Sequence, residues 1–458
     1  MSKLRVLLTN NTLAARAGSE LYVRDLATAL LARGHTPIAY STDLGEVAEE
    51  LRLATIPAVA DLSAIAEPPD IIHGQHHLDT MTALLHFPGV PCIYFCHGWL
   101  PWEEAPPRFP RIRQYVTVDY TCRDRLLYEH AIPADQIEVL LNFVDLDRFS
   151  PRPLPLPPTP QRALVFSNAA SHSAYLKEVQ AACDRVGITL DIIGAGAGSA
   201  CAQPEQMLGK YDIVFAKGRS ALEAMAVGAA VIVHDAVGTG AMVTTENFAQ
   251  FRRLNFGIRT LQNPISVDGL VRELSRYDPL DAAKVSQQIR TTGGREAVVS
   301  QIIQLYEKVL SREVTLSKHG AAAESQAIAA YLHWLTPRLK QIYHYENKLV
   351  QQTNAYEAQL AQIRITNEQT EQTLALTQQH CHNIETALEH TQEQLRLTQG
   401  QLQHTHTQLQ TELENLHAHL DWMKTSKFWK LRHLYMQCRQ RIMLPLGRRL
   451  GAVPAKMR

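Results

Sequence analysis

The sequence lacks any run of about 18 apolar residues, the length a helix needs to cross a bilayer, so no membrane-spanning helix is expected. It also lacks net charge: 45 Lys and Arg balance 45 Asp and Glu, leaving no global field to attract nucleic acid. Cysteine is sparse and unpaired. The seven (Cys92, Cys96, Cys122, Cys183, Cys201, Cys381 and Cys438) are odd in number and scattered, which argues against a disulfide framework and for reduced thiols in the cytoplasm. The opening MSKLRVLLTNN runs straight into a strand pattern without a secretory apolar region. No Asp-x-Asp stands at a strand end, so no bound metal is expected. The helical histidine pairs (His380/His382, His404/His406, His417/His419) sit two apart and so on different helix faces, a poor metal spacing.

What is present is enough apolar residue for substantial cores. At 458 residues and 45% hydrophobic, two globular domains plus a further segment are expected. Residues 4–8 read as a buried strand, Leu21–Arg33 as a helix, and Pro37–Tyr40, Asp70–His73 and Pro91–Phe95 as further strands, each preceded by a helical pattern. That alternation implies a doubly wound parallel sheet over residues 1–149, whose ligands sit at the carboxyl ends of the strands. His73, Gln75, His76, Cys96, His97 and Gly98 fall at such ends.

Residues 150–161 contain six prolines in SPRPLPLPPTP and read as an extended connector. The β/α alternation restarts at Arg162 and runs to about 312, with a cleft expected between the two domains. The loop Gly194-Ala195-Gly196-Ala197-Gly198 looks superficially dinucleotide-like, and is expected to shape that cleft instead. A helical connector (313–341) leads to residues 342–420, where a heptad register fits. Leu360, Asn367, Leu374, Cys381, Leu388, Leu395, Leu402, Leu409 and Leu416 form one seam, with Ile342, Leu349, Tyr356, Ile363 and a row of threonines as its companion. A coiled coil of roughly 120 Å and a homo-oligomer are the expectation. The tail, 421–458, carries ten Lys/Arg against one acid, interleaved with Trp422, Phe428, Trp429 and Tyr435. Such a mixture suits an anionic membrane surface, here the inner face. Nucleic acid is not expected as a partner, because no recognised nucleic-acid fold accompanies the tail.

The densest chemistry lies in YDIVFAKGRSALEAMAVGAAVIVHD, residues 211–235. It reads as strand, tight turn, helix and strand. Lys217, Gly218, Arg219 and Ser220 crowd two cations and a glycine onto a helix N-terminus, which is an anion site. Glu223, one turn further in, can accept two hydrogen bonds from a ribose or sugar diol. The cluster points to a nucleotide sugar.

Residues 4–312 resemble a retaining glycosyltransferase of the family-4 type, with the two-Rossmann GT-B architecture. The resemblance rests on AGSELYVRDLATALLARGH, on CHG at a strand end, on ALEAMAVGAAVIV, and on IPADQIEVLLNFVDLDRFSP with Asn142, Val144, Asp145, Arg148 and Phe149 in register. It implies transfer of a sugar from a nucleotide donor, with retention and without metal or other cofactor, to a glycan or lipid-linked acceptor in surface polysaccharide or glycoconjugate assembly. It further implies a donor site of Gly18, Lys217, Gly218, Ser220 and Glu223, with His97 and Arg219 acting at the reacting centre. Glu20, His73 and His76 are then candidates for the acceptor side.

Three departures stand against this pattern. Phe215 occupies the place of the family's first paired glutamate, Ser167-Asn168-Ala169 and Ser173 replace its phosphate clamp, and Phe143 replaces the linker glycine. An inactive scaffold or interaction protein on the same fold, or a nucleotide-sugar epimerase, are the alternatives.

Overall fold

The computed structural model describes residues 3–168, 174–194, 196, 198–199, 201–311, 318–389, 403–418 and 431. They fall into two compact units, Met1–Ile328 and Ala329–Arg458. The first unit holds two α/β sheets. One is formed by β1 (Arg5–Thr9), β2 (Thr36–Tyr40), β3 (Ala58–Val59), β4 (Ile71–Gln75), β5 (Cys92–Cys96), β6 (Ile112–Thr117) and β7 (Ile137–Val139). These lie in the order β3-β2-β1-β4-β5-β6-β7 with every pair parallel. Helices α1 (Gly18–Ala32), α2 (Glu46–Leu53), α3 (His77–His86) and α4 (Tyr120–Asp124) join them. The order reverses between β1 and β4, which opens a crevice at those strand ends.

The second sheet contains β8 (Arg162–Phe166), β9 (Thr189–Ile193), β10 (Ile213–Ala216), β11 (Ala230–Asp235) and β12 (Gly238–Met242). Its order is β12-β11-β10-β8-β9, with β12 alone antiparallel. Around it pack α5 (Ala174–Val186), α6 (Gly218–Val227), α7 (Phe248–Arg253), α8 (Val267–Leu274) and α9 (Pro279–Thr292). Strands β5, β10 and β11 are buried along their whole length, as continuous apolar runs covered on both faces must be. Gly194 lets β9 end against its neighbour, since a Cβ there would lie 1.9 Å from the Ser167 carbonyl oxygen. Ala195 and Ala197 lie outside the described residues.

The crossing between the two cores falls at consecutive residues. Phe143 is buried in the first core and Val144 in the second. Val144 also exchanges backbone hydrogen bonds with the return crossing, its N–H to Gly293 O (2.8 Å) and its C=O from Arg295 N–H (3.0 Å). The proline-rich stretch lies against the second domain instead: Leu156 enters that core and Pro157 O accepts from Tyr277 Oη at 2.8 Å. The helix that follows, α10 (Arg295–Leu310), carries Val299, Ile302, Ile303 and Tyr306 into the first core, although the sequence reading assigned it to the second domain.

Helix α11 (Lys318–Glu389) begins in the first unit, where Glu324 pairs with Arg111 at 2.8 Å. Within the second unit it continues without interruption through Pro337, and residues 403–418 are helical too. Leu339, Tyr343, Val350, Tyr356, Ile365 and Leu376 are exposed along it. A long helix therefore follows the two sheets. Leu395 and Leu402 of the proposed seam, and the basic tail apart from Leu431, lie outside the described residues.

Candidate active site between the two sheets

The start of α6 is a turn that glycine makes possible. Lys217 is extended, Gly218 adopts φ +56°, and the Gly218 N–H is tied to Phe256 O at 3.0 Å. No side chain caps the helix, so its first-turn N–H groups keep their polarity for a ligand. Ser220 stands half-buried in that turn. Lys217, 42% exposed at its side chain, is paired with Asp235 at the end of β11.

Arg219 does more than flank the turn. Its Nε donates to Glu223 Oε1 at 2.8 Å and its Nη2 to Asp25 of α1, in the other domain. Asp25 also accepts from Arg24 (2.6 Å), and Arg24 from its other nitrogen donates to Glu50 of α2 (2.9 Å). Burial alone would raise the Asp25 carboxyl, but Arg219 and Arg24 together outweigh it and hold the pKa below its ordinary value. For Glu223 burial is the stronger effect and pushes the pKa up, although the shared Arg219 and the more distant Arg148 act against it. Of the two carboxylates, Asp25 is the better anion partner.

The first sheet supplies the opposite wall. His97, just beyond β5, packs edge-on against Tyr22 of α1 with centroids 4.5 Å apart. Burial drives its pKa down to about 3, aided by His76 and by the charge of Arg219, so the ring is neutral. The His97 N–H donates to Glu104 Oε2 at 2.8 Å, and Glu104 Oε1 lies 3.6 Å from His76 Nε2. His76 accepts from the Asn11 N–H at Nδ1 (3.0 Å) and holds φ +60°, uncommon for a residue other than glycine. Burial lowers its pKa to about 4 and raises that of Glu104 to about 8.

The structure thus gathers Arg219, Glu223, Tyr22 and His97, and ties His76 to His97 through Glu104. It does not bring in the remaining candidates equally. His73 hydrogen-bonds Tyr306 Oη of α10 (2.7 Å) and stacks on Phe95 at 4.0 Å. Glu20 is buried and accepts from Ser19 Oγ (2.9 Å), its pKa raised by burial. Gly18 opens α1, and a Cβ there would meet no protein atom within 4 Å. Asp25, Glu104 and Asp235 were missed by the sequence reading; Asp25 and Asp235 stand inside the quoted motifs, but the role of each depends on a partner the local pattern does not show, Arg219, the His97 N–H and Lys217 respectively. Phe215 is fully buried where a glutamate would stand. Ala169 and Ser173 of the replaced clamp lie outside the described residues.

A polar groove of about 600 Å³ opens beside this network, lined among others by Arg16, Arg24, Glu50, Asp145, Arg148 and Glu205. Its arginines are already engaged, Arg16 and Arg24 with Glu50, Arg148 with Glu205, and Arg295 with Asp145. Lys217 and Arg219 are paired as well, but the α6 start adds an uncapped helix N-terminus and is the stronger candidate for an anion. Among the described residues no group of three or more His, Cys, Asp or Glu could hold a metal ion.

Two Rossmann-like sheets followed by a long helix, with a helix N-terminus of the second sheet facing the strand ends of the first, define a GT-B fold. The chain is family-4-like: residues 16–148 match Glycosyltransferase Family 4. No curated protein matches the chain. Similar solved structures include a glycosyltransferase from Rickettsia africae ESF-5 (TM-score 0.46, 15% identity, 68% of this chain and 100% of that one). HepE of Anabaena in complex with UDP and glucose is another (TM-score 0.49, 13% identity, 67% and 100%). A third is an O-GlcNAc transferase mutant of Thermobaculum terrenum (TM-score 0.40, 14% identity, 67% and 68%).

Proposed function

We propose that this chain transfers a sugar, with retention and without a metal ion, from a nucleotide sugar to a glycan or lipid-linked acceptor in surface polysaccharide or glycoconjugate assembly. The observation that carries the reading is the start of α6, where Arg219 and Glu223 meet α1 of the other domain beside a neutral His97. A diphosphate at this helix start meets uncapped N–H groups and Arg219, with Lys217 close by. Fixed donors of this kind stabilise the charge that builds on a departing diphosphate. Glu223 can accept from the ribose hydroxyls once Arg219 turns to the phosphates. His97, neutral, offers a nitrogen to a sugar hydroxyl. The coiled coil and the basic tail would join copies of the chain and hold them at the inner membrane face.

Titration calorimetry with UDP, GDP and their sugars tests the site. Glu223→Ala should weaken nucleotide binding by about 1–3 kcal/mol, the value of a hydrogen bond to a charged group. Arg219→Ala should reduce turnover more than stability. Unchanged nucleotide affinity in both variants would show that the site is misplaced. A second reading, an inactive scaffold, draws on Phe215 in place of a glutamate and on the pairing of both cations with carboxylates. It predicts that no nucleotide raises the melting temperature.

A further inference from the structure

We propose that Gln75, with Asn10, His73 and His97, forms an uncharged subsite that reads the hydroxyl groups of a neutral sugar ring attached to the diphosphate. The inference rests on the nucleotide-sugar reading above and narrows it to one class of sugar. Among the described residues, Asn10 Oδ1, His73 Nε2, His97 Nε2 and both ends of the Gln75 carboxamide lack a hydrogen-bond partner while buried. Asn10, His73 and Gln75 are all 0% exposed.

Strand register places these groups together. Leu8 pairs with His73, and Gln75 with Phe95, in parallel ladders. Paired residues point to the same face, and so do residues two apart. Asn10, His73, Gln75, Phe95 and His97 therefore share one face at the ends of β1, β4 and β5. The rings agree with this: Phe95 stacks on His73 and lies 6.2 Å from His97. Tyr22 covers the same face beside His97, the edge nearest Arg219.

A buried carboxamide with donor and acceptor both unpaired costs free energy that an apolar side chain of similar size avoids. Its complement must donate and accept at close spacing, which is what a ring of hydroxyls does. Asn10 adds an acceptor, and each histidine nitrogen can donate or accept according to its tautomer. A carboxylate fits poorly. It has no proton for Asn10 Oδ1, and the nearby cation, Arg219, is shared between Asp25 and the diphosphate. Neutral hexoses are accepted and uronic acids rejected.

The test compares full-length wild type with Gln75→Leu by calorimetry, using UDP, UDP-glucose, UDP-galactose, GDP, GDP-mannose and UDP-glucuronate. In wild type at least one neutral nucleotide hexose should bind about tenfold more tightly than its bare diphosphate, and UDP-glucuronate no more tightly than UDP. Gln75→Leu should abolish the hexose advantage, leave diphosphate affinity unchanged, and leave the ligand-free melting temperature equal or higher. A several-degree loss of ligand-free melting temperature with the hexose advantage intact would make Gln75 a structural residue and overturn the subsite. Tight binding of UDP-glucuronate would overturn its neutrality. If diphosphates bind but Gln75→Leu changes nothing, the subsite alone falls; if no nucleotide binds, the nucleotide-sugar reading falls and takes the subsite with it.

Discussion

Arg219 of α6 and Asp25 of α1 form an ion pair that joins the two domains inside the candidate site, with Glu223 on the other side of the same guanidinium. A cation placed for a diphosphate is thus held by carboxylates from both domains, so a ligand must compete with a protein anion for it. Asp25→Asn should cost about 3 kcal/mol, the order expected when one partner of a buried pair is removed. Combined with Arg219→Met, the loss should be less than the sum of the two single changes. Urea unfolding of the four proteins measures the coupling, and strict additivity would show that the pair carries no interaction energy.

Glu104 gives a pH signature. Its folded pKa of about 8 lies above the ordinary 4.5, so the folded state binds the extra proton between those values. The sign is that stability falls as pH rises through this window and levels off above about 8. Histidines with folded pKa values depressed to about 3 and 4, among them His97 and His76, act oppositely but only below about 6.5. Asp79, raised by burial to about 7, reinforces the fall up to that pH. Wild type should therefore lose on the order of 2 kcal/mol between pH 6.5 and 8, and Glu104→Gln should lose visibly less. Equal slopes in chemical denaturation of the two proteins would refute the assignment.

Metal independence is directly testable. Transfer should survive excess chelator, because Arg219 and the helix N–H groups are the proposed partners of the diphosphate. Activity that chelator abolishes and manganese restores would contradict it.

The long helix is expected to associate. A chain ending at residue 328 should be monomeric and still bind nucleotide, whereas full-length protein should form an oligomer that buries Ile342, Leu349, Leu360 and Ile363. Light scattering at micromolar concentration decides; a full-length monomer would end the coiled-coil reading.

For the tail, flotation with vesicles is the measurement. Binding should require anionic lipid, weaken with salt and vanish on removal of residues 421–458, at about 1 kcal/mol per cation near the surface. Binding that is equal on neutral vesicles, or absent from both, would remove the membrane role.

Much of the architecture was legible because strands buried on both faces leave continuous apolar runs. LRVLL, CIYFC and AVIVHD announce β1, β5 and β11 without further information. The antiparallel β12, GTGAM, was not legible, since two glycines leave neither an apolar run nor an alternation, and Gly240 packs against the Thr260 carbonyl oxygen, which lies further along the chain. The α6 cluster was visible as a local pattern, but its electrostatics were not. Asp25 sits 194 positions from Arg219 and looks like an ordinary charge on an amphipathic helix. The packing of α10 was hidden for a related reason: an apolar stripe tells that a helix has a core to join, not which one.

The double crossing at Phe143–Val144 and Gly293–Arg295 has a consequence for synthesis. A ribosome releases the seven strands of the first sheet early, yet the helix that seals their core ends only at Leu310. Until then Val299, Ile302 and Tyr306 are not available, and His73 waits for its hydroxyl partner. The first sheet to be made must remain incomplete while the whole of the second is translated, so maturation of the N-terminal domain is timed by the arrival of Arg295–Leu310.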